Sequence, residues 1–460
     1  MEQHSIEVGK SHFSSRVPLA ALGLKVRQWQ IMETISQYVR IDQKTVLDSP
    51  LEKLTDGLIT ILAGGEGLVS ANKLLGSDRA VQLAFGRERC AEQSVISETF
   101  NACTSQNVSQ MEQAWGELYR GHSEGYRHNY LKDWQLLDID LTGQPCGPKA
   151  AFATRGYFAH QRNRRGRQLG RVYASWYEEV VLDQLYPGKT TLHPVLPELV
   201  SKAAAILELD EVRRKRTILR IDAHGGHVSQ VNALLQQNYQ VHTKEGHGGR
   251  ARQLAETVSV WYDDPKVPGR QVGWVNQPPD EYVRPVRRVA VRTRKKNKQW
   301  GIGVLVSSLS PMAVSYLVGL NHEQRTQPLA QLLAYVYFYD LRAGGIESSF
   351  KTDKQGLGIT KRNKKRFEAQ QMLTFLNGLA HNLLLWFRRD LAQRWAAVSK
   401  FGLVRFIREV LHLNGWVFFD QTCHISSLIF NQADPTALPL ALALRSLLAP
   451  SDIAVCLAQT

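Results

Sequence analysis

YVYFYDLRAGGIESSFKTDKQGLGITKRNKKR, residues 335–366, is the stretch from which the fold of the chain can be read. It begins as an aromatic and aliphatic run, breaks at a Gly-Gly pair, and resumes with a helical pattern that leads into a basic loop at 361–366. Glu347, Lys351 and Lys354 stand at i, i+4 and i+7, so one helix face carries a carboxylate and two ammonium groups. Such a carboxylate can bind a divalent metal ion while the cations hold phosphates. The alternative is an ordinary solvated Glu/Lys helix.

The charge of the chain indicates a polyanionic partner. Lys and Arg together number 57 and Asp and Glu 42, which gives a formal charge of +15 and a pI near 9.6. Nucleic acid is the first candidate for the partner, and an anionic membrane surface is the second. No apolar run reaches the length of about 18 residues that a membrane span needs, so we expect no membrane insertion.

The cysteines indicate a reducing compartment. There are five, an odd number, and none belongs to a CxxC pair. Neither a disulfide framework nor a zinc pair is predicted, and we therefore expect a protein of the reducing cytoplasm.

The pattern of elements divides the 460 residues into five segments. A helical segment at 1–130 suits DNA binding in the helix-turn-helix manner or, equally, dimerisation and packing. Alternating strands and helices follow at 131–245 and again at 309–400, with a helix predicted over 317–341. The segment 246–308 is rich in β-strand patterns. The segment 401–460 carries an apolar helix suited to packing or dimerisation.

Two predicted strands carry acidic residues. In the first, residues 134–142, Asp138 and Asp140 share one face, where two carboxylates are costly unless they are solvated or bound to a cation. The second, residues 216–222, ends on Asp222 and is followed by a Gly-containing turn, and sites in such sheets collect at the carboxyl ends of strands. A half-exposed strand with outward acids is the alternative for the first strand. A zinc site is the minor alternative for the nearby histidines, which are His224, His227, His242 and His247.

The segment 246–308 combines basic and aromatic residues in antiparallel-strand patterns. Arg292 and Arg294 belong to a basic ribbon suited to a phosphate backbone, and Trp261 and Trp300 are interspersed with it. An exposed aromatic ring in such a ribbon can stack on a displaced base. The alternative is that the tryptophans only fill a small core.

Three motifs in chain order resemble those of a known family. The order of the acids resembles the ribonuclease-H-like core, and Tyr-x2-Arg-x4-Glu-x6-Lys looks like the YREK signature of bacterial insertion-sequence DDE transposases. Asp140-Leu-Thr142 matches the first motif of that family, and the sequence around Asp222 resembles the second. The chain departs from the family by one extra residue between Arg and Glu and by His224 in place of Gly. The signature residues are Tyr339, Arg342, Glu347 and Lys354.

The resemblance implies an α/β fold, with a ribonuclease-H-like mixed sheet flanked by helices, an antiparallel β insertion and a helical N-terminal domain. It implies cut-and-paste transposition by a homodimer on double-stranded DNA, at terminal inverted repeats and a target. Asp140, Asp222 and Glu347 would hold two Mg²⁺ ions, or Mn²⁺, with Asp140 as the bridge and Asp138 as its competitor. The residues expected to hold DNA are Tyr339, Arg342, Lys351, Lys354, Arg292, Arg294, Trp261 and Trp300.

Other classes of function remain open at this point. A ribonuclease-H-like nuclease, such as a junction resolvase, would cut DNA without joining it. An inactive DNA-binding descendant of a transposase would do neither, although the presence of all three acids argues against it. A protein of the membrane surface is the most distant candidate, because the basic residues alternate on predicted strands and do not line an amphipathic helix.

Overall fold

The chain folds as a mixed α/β protein, as its sequence predicts. In the computed structural model the described residues are 11–44, 47–158, 161, 163–295 and 299–458. Within these ranges no helix combines the length and apolar character that crossing a membrane requires.

Helices and strands alternate through most of the chain. The α-helices are α1 (Val17–Gln28), α2 (Ile31–Tyr38), α3 (Pro50–Leu62), α4 (Arg79–Ala84), α5 (Gln93–Ala102), α6 (Ser105–His122), α7 (Leu192–Ile206), α8 (Glu211–Lys215), α9 (Val228–Gln236), α10 (Gly248–Glu256), α11 (Pro311–Leu317), α12 (His322–Thr326), α13 (Pro328–Asp340), α14 (Ile346–Gln355), α15 (Phe367–Ala392), α16 (Leu403–Arg405) and α17 (Ala437–Leu448). The strands are β1 (Ser11–Ser14), β2 (Gln135–Pro145), β3 (Thr154–Arg155), β4 (Arg165–Ala174), β5 (Glu179–Pro187), β6 (Thr217–Ile221), β7 (Gln240–Lys244), β8 (Tyr262–Asp263), β9 (Arg270–Trp274), β10 (Arg287–Arg294), β11 (Trp300–Ser307), β12 (Gly415–Phe419), β13 (Ile425–Asn431) and β14 (Ala454–Ala458). Short 3-10 or π segments lie at Ala71–Leu75, Ala223–Gly225, Ala396–Lys400, Phe406–Val410 and Ala449–Ser451.

The chain forms two compact units. The first contains the described residues of Met1–Ser123, Cys146–Ala153 and Lys351–Thr460, and the second those of Glu124–Pro145 and Thr154–Phe350. The helical segment predicted at 1–130 and the C-terminal segment predicted at 401–460 thus fall almost entirely in the same unit.

The second unit is built on one mixed sheet. Among the described residues it has ten strands in the order β3-β4-β2-β6-β7-β11-β10-β9-β8, with β5 paired to β4 off this path. Strand β2 is parallel to β6 and antiparallel to β4, and β6 is parallel to β7. Leu136, Leu137 and Ile139 of β2 are all buried, so both faces of this strand are covered, as in central strands of α/β sheets.

The strands predicted as an insertion at 246–308 are antiparallel, as expected, and they extend this same sheet. Strand β11 pairs antiparallel with β7, and β10 pairs with both β11 and β9. Helix α10 covers them through Ala251 and Leu254, which pack on Ala290 and Val304. This part of the sheet is therefore directly continuous with the strands that carry the acids.

The single helix predicted over 317–341 is wrong, because three separate helices, α11, α12 and α13, occupy this region and its approach. Gly319, at φ +74°, ends the turn after α11, and Asn321 caps α12 with its side chain. Pro328 then begins α13 at a position where its missing N–H costs nothing. Helix α13 packs on the sheet through Tyr335 and its neighbours.

The first unit contains a helical part and a small sheet. Helix α15 has 26 residues and is buried around most of its circumference, which agrees with the long buried helix predicted over 369–386. Helix α3 begins with a capping box between Ser49 and Glu52. Within the described residues the sheet has the order β1-β12-β13-β14, with β13 and β14 parallel.

Candidate functional site

Strands β2 and β6 bring Asp140 and Asp222 to the same edge of the sheet. The two strands are parallel and Ile139 pairs with Ile221, so each aspartate is the next residue after this pair. Asp222 follows the last residue of β6 and starts a 3-10 turn. The side chain of Asp140 is 19% exposed and that of Asp222 33%. Both carboxylates are therefore partly accessible at the carboxyl end of a sheet, where sites in α/β folds collect.

The guanidinium of Arg342 lies between these two carboxylates. Its Nη2 donates to Asp140 Oδ2 at 2.9 Å, and its Nη1 lies 3.6 Å from Asp222 Oδ1. The same Nη1 donates to the hydroxyl of Tyr339 at 3.1 Å, and that hydroxyl donates to Asp222 Oδ1 at 3.3 Å. Two acids, a tyrosine and an arginine of the predicted signature thus form one hydrogen-bonded network.

A glycine in the turn between α13 and α14 allows this approach. A Cβ atom on Gly345 would lie 3.0 Å from Asp138 Oδ2 and 3.2 Å from Ser175 Oγ. A larger residue would crowd these two side-chain oxygens, so the oxygens or the turn would have to shift by a few tenths of an ångström. The Gly-Gly break in the sequence therefore lets the turn that carries Arg342 sit directly on the acidic strand.

Glu347 lies in the first turn of α14 and is exposed. Within the described ranges its carboxylate makes no hydrogen bond or ion pair, while its charge acts on Asp140. The predicted helix from Glu347 is confirmed, and the three acids do lie in one neighbourhood. Lys351 and Lys354 lie on the part of α14 that belongs to the first unit.

The charges at the site strongly affect one another. Burial raises the pKa of Asp140 to about 6; the guanidinium of Arg342 opposes this rise, and the carboxylates of Asp222 and Glu347 add to it. Burial also acts to raise the pKa of Asp222, but Arg342 and the N–H of Ala223 bring it below its usual value. Burial lowers the pKa of Arg342, and the surrounding acids more than reverse this. The acids therefore repel each other, and Arg342 relieves only part of the repulsion.

A divalent cation suits this set of groups, because carboxylate oxygens are hard ligands and a cation would offset the burial and the repulsion that together raise the pKa of Asp140. As the side chains lie, however, no three carboxylate, imidazole or thiol groups of the described residues converge closely enough to hold a metal ion. The position between Asp140 and Asp222 is taken by Arg342. The residues thus fit a metal site in kind, with the guanidinium as the present counter-cation.

Asp138 has different surroundings from Asp140, although both lie on one strand. Its carboxylate is fully buried and accepts from Arg220 Nε at 2.6 Å and Nη2 at 2.7 Å. The hydroxyl of Ser175 donates to it at 2.5 Å. All of its oxygens are engaged in this ion pair, so Asp138 is a structural residue in the arrangement seen here.

Lys244 is a site residue to which the sequence analysis gave no role. It is the last residue of β7, and its ammonium lies 4.4 Å from the centroid of the Tyr339 ring. Its charge interacts with Asp222, Arg342 and Glu347. A lysine at the end of a strand has no motif that marks it, and only the parallel pairing of β6 and β7 brings it beside Asp222.

The basic and aromatic residues of β8–β11 form a separate cluster in the second unit. The guanidinium of Arg292 lies 4.2 Å from the ring centroid of Trp261 and 4.7 Å from that of Trp300. Arg294 lies 5.8 Å from the Trp300 ring, and Gln271 accepts from Arg292 Nε at 2.7 Å. Trp300 and Arg294 are exposed. Trp300 therefore stacks on an arginine at the surface, whereas Trp261 is half-buried and also packs against the small core cluster under helix α10.

The histidines do not form the alternative zinc site within the described residues. His224 pairs with Asp222 at 3.3 Å, whereas His242 is fully buried and its Nε2 contacts the carbonyl oxygen of Tyr335. The ring of His227 lies 4.5 Å from that of His193.

Comparisons with known proteins leave the family open. No family model matches the sequence, and no curated protein is recognisably similar to it. One of the solved structures that matches is the cryo-EM structure of the piggyBac transposase synaptic complex with hairpin DNA, at a TM-score of 0.45 and 12% identity. The match covers 86% of this chain and 79% of that one. A likeness of this size establishes neither a family nor an activity, so the function must be argued from the site itself.

Proposed function

We propose that this protein is a DDE transposase of the YREK type, which moves a bacterial insertion sequence by cleaving DNA at terminal inverted repeats and transferring the strand ends to a target. The observation that carries the proposal is the network in which Arg342 joins Asp140 to Asp222 with Tyr339 beside it. Glu347 stands next to this network with a free carboxylate among the described residues.

The order of the strands supports a ribonuclease-H-like core. Strands β2, β4 and β5 form an antiparallel meander, and β6 and β7 add in parallel on the other side of β2. The first acid thus lies on the central strand and the second at the end of its parallel neighbour. Helix α14, which carries the third acid, follows the sheet in the chain.

Asp140, Asp222 and Glu347 would hold Mg²⁺ or Mn²⁺ ions. Bound divalent ions would supply activation of the attacking water or hydroxyl and stabilisation of the leaving oxygen. Asp140 is the proposed shared ligand of the ions, because the charges of Asp222 and Glu347 both act on it. Carboxylates that repel one another have a direct electrostatic reason to share such ions.

The chain's own cations would hold the DNA at this site. A guanidinium binds a phosphate through two parallel hydrogen bonds, so Arg342 would exchange a carboxylate for a phosphate oxygen when DNA arrives. The hydroxyl of Tyr339, now on Asp222, would orient the same phosphate. Lys351 and Lys354, one and two turns further along α14, would contact the neighbouring backbone.

The aromatic cluster would act away from the acids. Trp300 is exposed and already stacked on Arg292, so a displaced base would find a preformed stacking surface there. Arg294 and the net charge of +15 would attract the DNA backbone. A homodimer in the bacterial cytoplasm, near the nucleoid, is part of the same proposal.

The test is DNA cleavage and strand joining by the purified protein, with Mg²⁺ and DNA that carries the repeats flanking the gene. Wild type should give both cut and joined products, and Asp222→Asn and Glu347→Gln should give neither. Glu323→Gln is the matched control, because Glu323 is also an exposed glutamate in the first turn of a helix of the second unit. Cutting without joining would instead indicate a nuclease, and binding without cutting an inactive descendant.

A further inference from the structure

Lys244 stands next to Asp222 because of the strand register. Strand β7 is parallel to β6, and Thr243 pairs with Ile221. The next residue of each strand is Lys244 on β7 and Asp222 after β6. A cation and a carboxylate thus extend from neighbouring strands at the same edge of the sheet.

The contacts of Lys244 hold its charge at the site without neutralising it. Its ammonium lies 4.4 Å from the centroid of the Tyr339 ring, whose hydroxyl donates to Asp222. In the described part of the chain, that ammonium makes no hydrogen bond and no ion pair. Burial lowers the pKa of Lys244, and the carboxylates of Asp222 and Asp340 oppose this. The N–H donors of the group are therefore available to an acceptor that the protein itself does not provide.

We propose that Lys244 is a direct ligand of the DNA, with its ammonium bound to a phosphate oxygen next to the bond that is cut. The inference rests on the proposed function, since DNA is the substrate that brings such an oxygen to the acids. An ammonium binds phosphate as a compact point charge with three donors, and a flat aromatic ring beneath it keeps it in place. Lys244 and Arg342, which both lie beside Tyr339, would then hold the DNA together.

The experiment compares three variants of the full-length protein on duplex DNA from the region flanking the gene. Lys244→Met removes the charge and keeps a side chain that can pack on Tyr339, and Lys244→Arg restores a cation. Lys266→Met is the matched control, because the ammonium of Lys266 lies 4.1 Å from the ring of Tyr337, in the same unit, at a place with no proposed role.

Three quantities are measured for each protein: the single-turnover cleavage rate with Mg²⁺, the salt dependence of DNA binding, and the melting temperature. We expect Lys244→Met to cut more slowly by roughly tenfold or more, as for the loss of a charge-assisted hydrogen bond. Its plot of log K against log salt should be shallower by about 0.9, the value for one lost phosphate contact. Lys244→Arg should recover most of both, while Lys266→Met should match wild type.

The outcomes separate this inference from the proposed function. If wild type cuts DNA but Lys244→Met retains both the wild-type rate and the wild-type salt slope, the inference is overturned and the function stands. A slower Lys244→Met with an unchanged slope and a lower melting temperature also overturns it, because that combination indicates a structural role. If wild type does not cut, the function fails; an unchanged slope then overturns the inference too, and a shallower slope rescued by arginine supports the phosphate contact.

Discussion

Two aspartates two residues apart have opposite roles at the scale of single residues. Asp138 forms a fully buried ion pair with Arg220, whereas Asp140 forms a partly exposed ion pair with Arg342. Asp138→Asn should lower the free energy of unfolding by about 3–5 kcal/mol, because it leaves the buried charge of Arg220 without its partner. Asp140→Asn should cost far less stability, because burial already disfavours the charge of Asp140 and Arg342 keeps Asp222 as a partner, and it should abolish cleavage. Urea unfolding of both variants checks this; equal losses of stability would contradict it.

His242 makes the stability of the second unit depend on pH. Burial lowers its pKa to about 3, and its Nδ1 is buried without a hydrogen-bond partner, so a proton there would have no acceptor. The unfolded chain binds that proton near pH 6.5 and the folded chain does not. Stability from this residue is therefore complete above pH 6.5 and is lost as the pH falls from 6.5 toward 3.

The expected loss is about 1.4 kcal/mol for each pH unit in this window. Between pH 7.5 and 5.0 wild type should lose about 2 kcal/mol more than His242→Phe, which packs against the same aromatic residues without titrating. Chemical unfolding of the two proteins at both pH values measures the difference. Parallel losses in the two proteins would show that His242 does not cause the dependence.

At the scale of elements, the basic loop after α14 exposes fewer of its cations to a partner than its sequence indicates. Arg362 and Lys364 are buried, Arg362 donating to the carbonyl oxygens of Gly65 and Leu357 and Lys364 to Ser97 Oγ at 2.6 Å. Lys361, by contrast, is 61% exposed. A run of charges and a helical period are visible in a sequence. The burial of a particular arginine is not, because it depends on which backbone carbonyl groups the fold places next to it, and Gly65 is far from Arg362 in the chain.

Arg362 should therefore matter for stability and not for DNA. Arg362→Ala leaves two buried carbonyl groups without a donor, at a cost of about 1–3 kcal/mol each, and should lower the melting temperature clearly. Its salt dependence of DNA binding should equal that of wild type. Lys361→Ala is the control with the opposite expectation, a near-normal melting temperature. A shallower salt slope in Arg362→Ala at full stability would mean that the loop opens to reach DNA.

The same contrast explains how much of the site could be predicted. The proximity of Asp140, Asp222 and Glu347 could be predicted because each sits in a local pattern, which is a strand face, a strand end or a helix start. The role of Asp138 could not be read, since strand alternation places it on the face of Asp140 and only the contact with Arg220 separates them. The place of Lys244 beside Asp222 could not be predicted, because it depends on the pairing of two strands and 21 residues separate the two side chains in the chain. The position of Arg342 between two acids likewise depends on a turn packing on a strand.

At the scale of the whole molecule, the proposed transposition would require two DNA ends to be cut and joined together. Closed twofold dimers are the commonest assemblies that place two copies of a site together. If each copy in a dimer serves one end, paired-end joining needs two active copies. Mixing wild type with Asp222→Asn before DNA is added then tests the assembly directly, because the variant lacks a site carboxylate and keeps the cations.

At equal amounts of the two proteins, only about one randomly formed dimer in four would carry two active sites, as follows from a twofold assembly. We therefore expect paired-end joining to fall to about a quarter of the wild-type value, while single-end cleavage falls only to about a half. The same mixture with Glu323→Gln in place of Asp222→Asn controls for dilution and should retain full joining. If joining falls only to a half, one copy must process both DNA ends. That result would contradict the proposal that joining needs two active copies in a dimer.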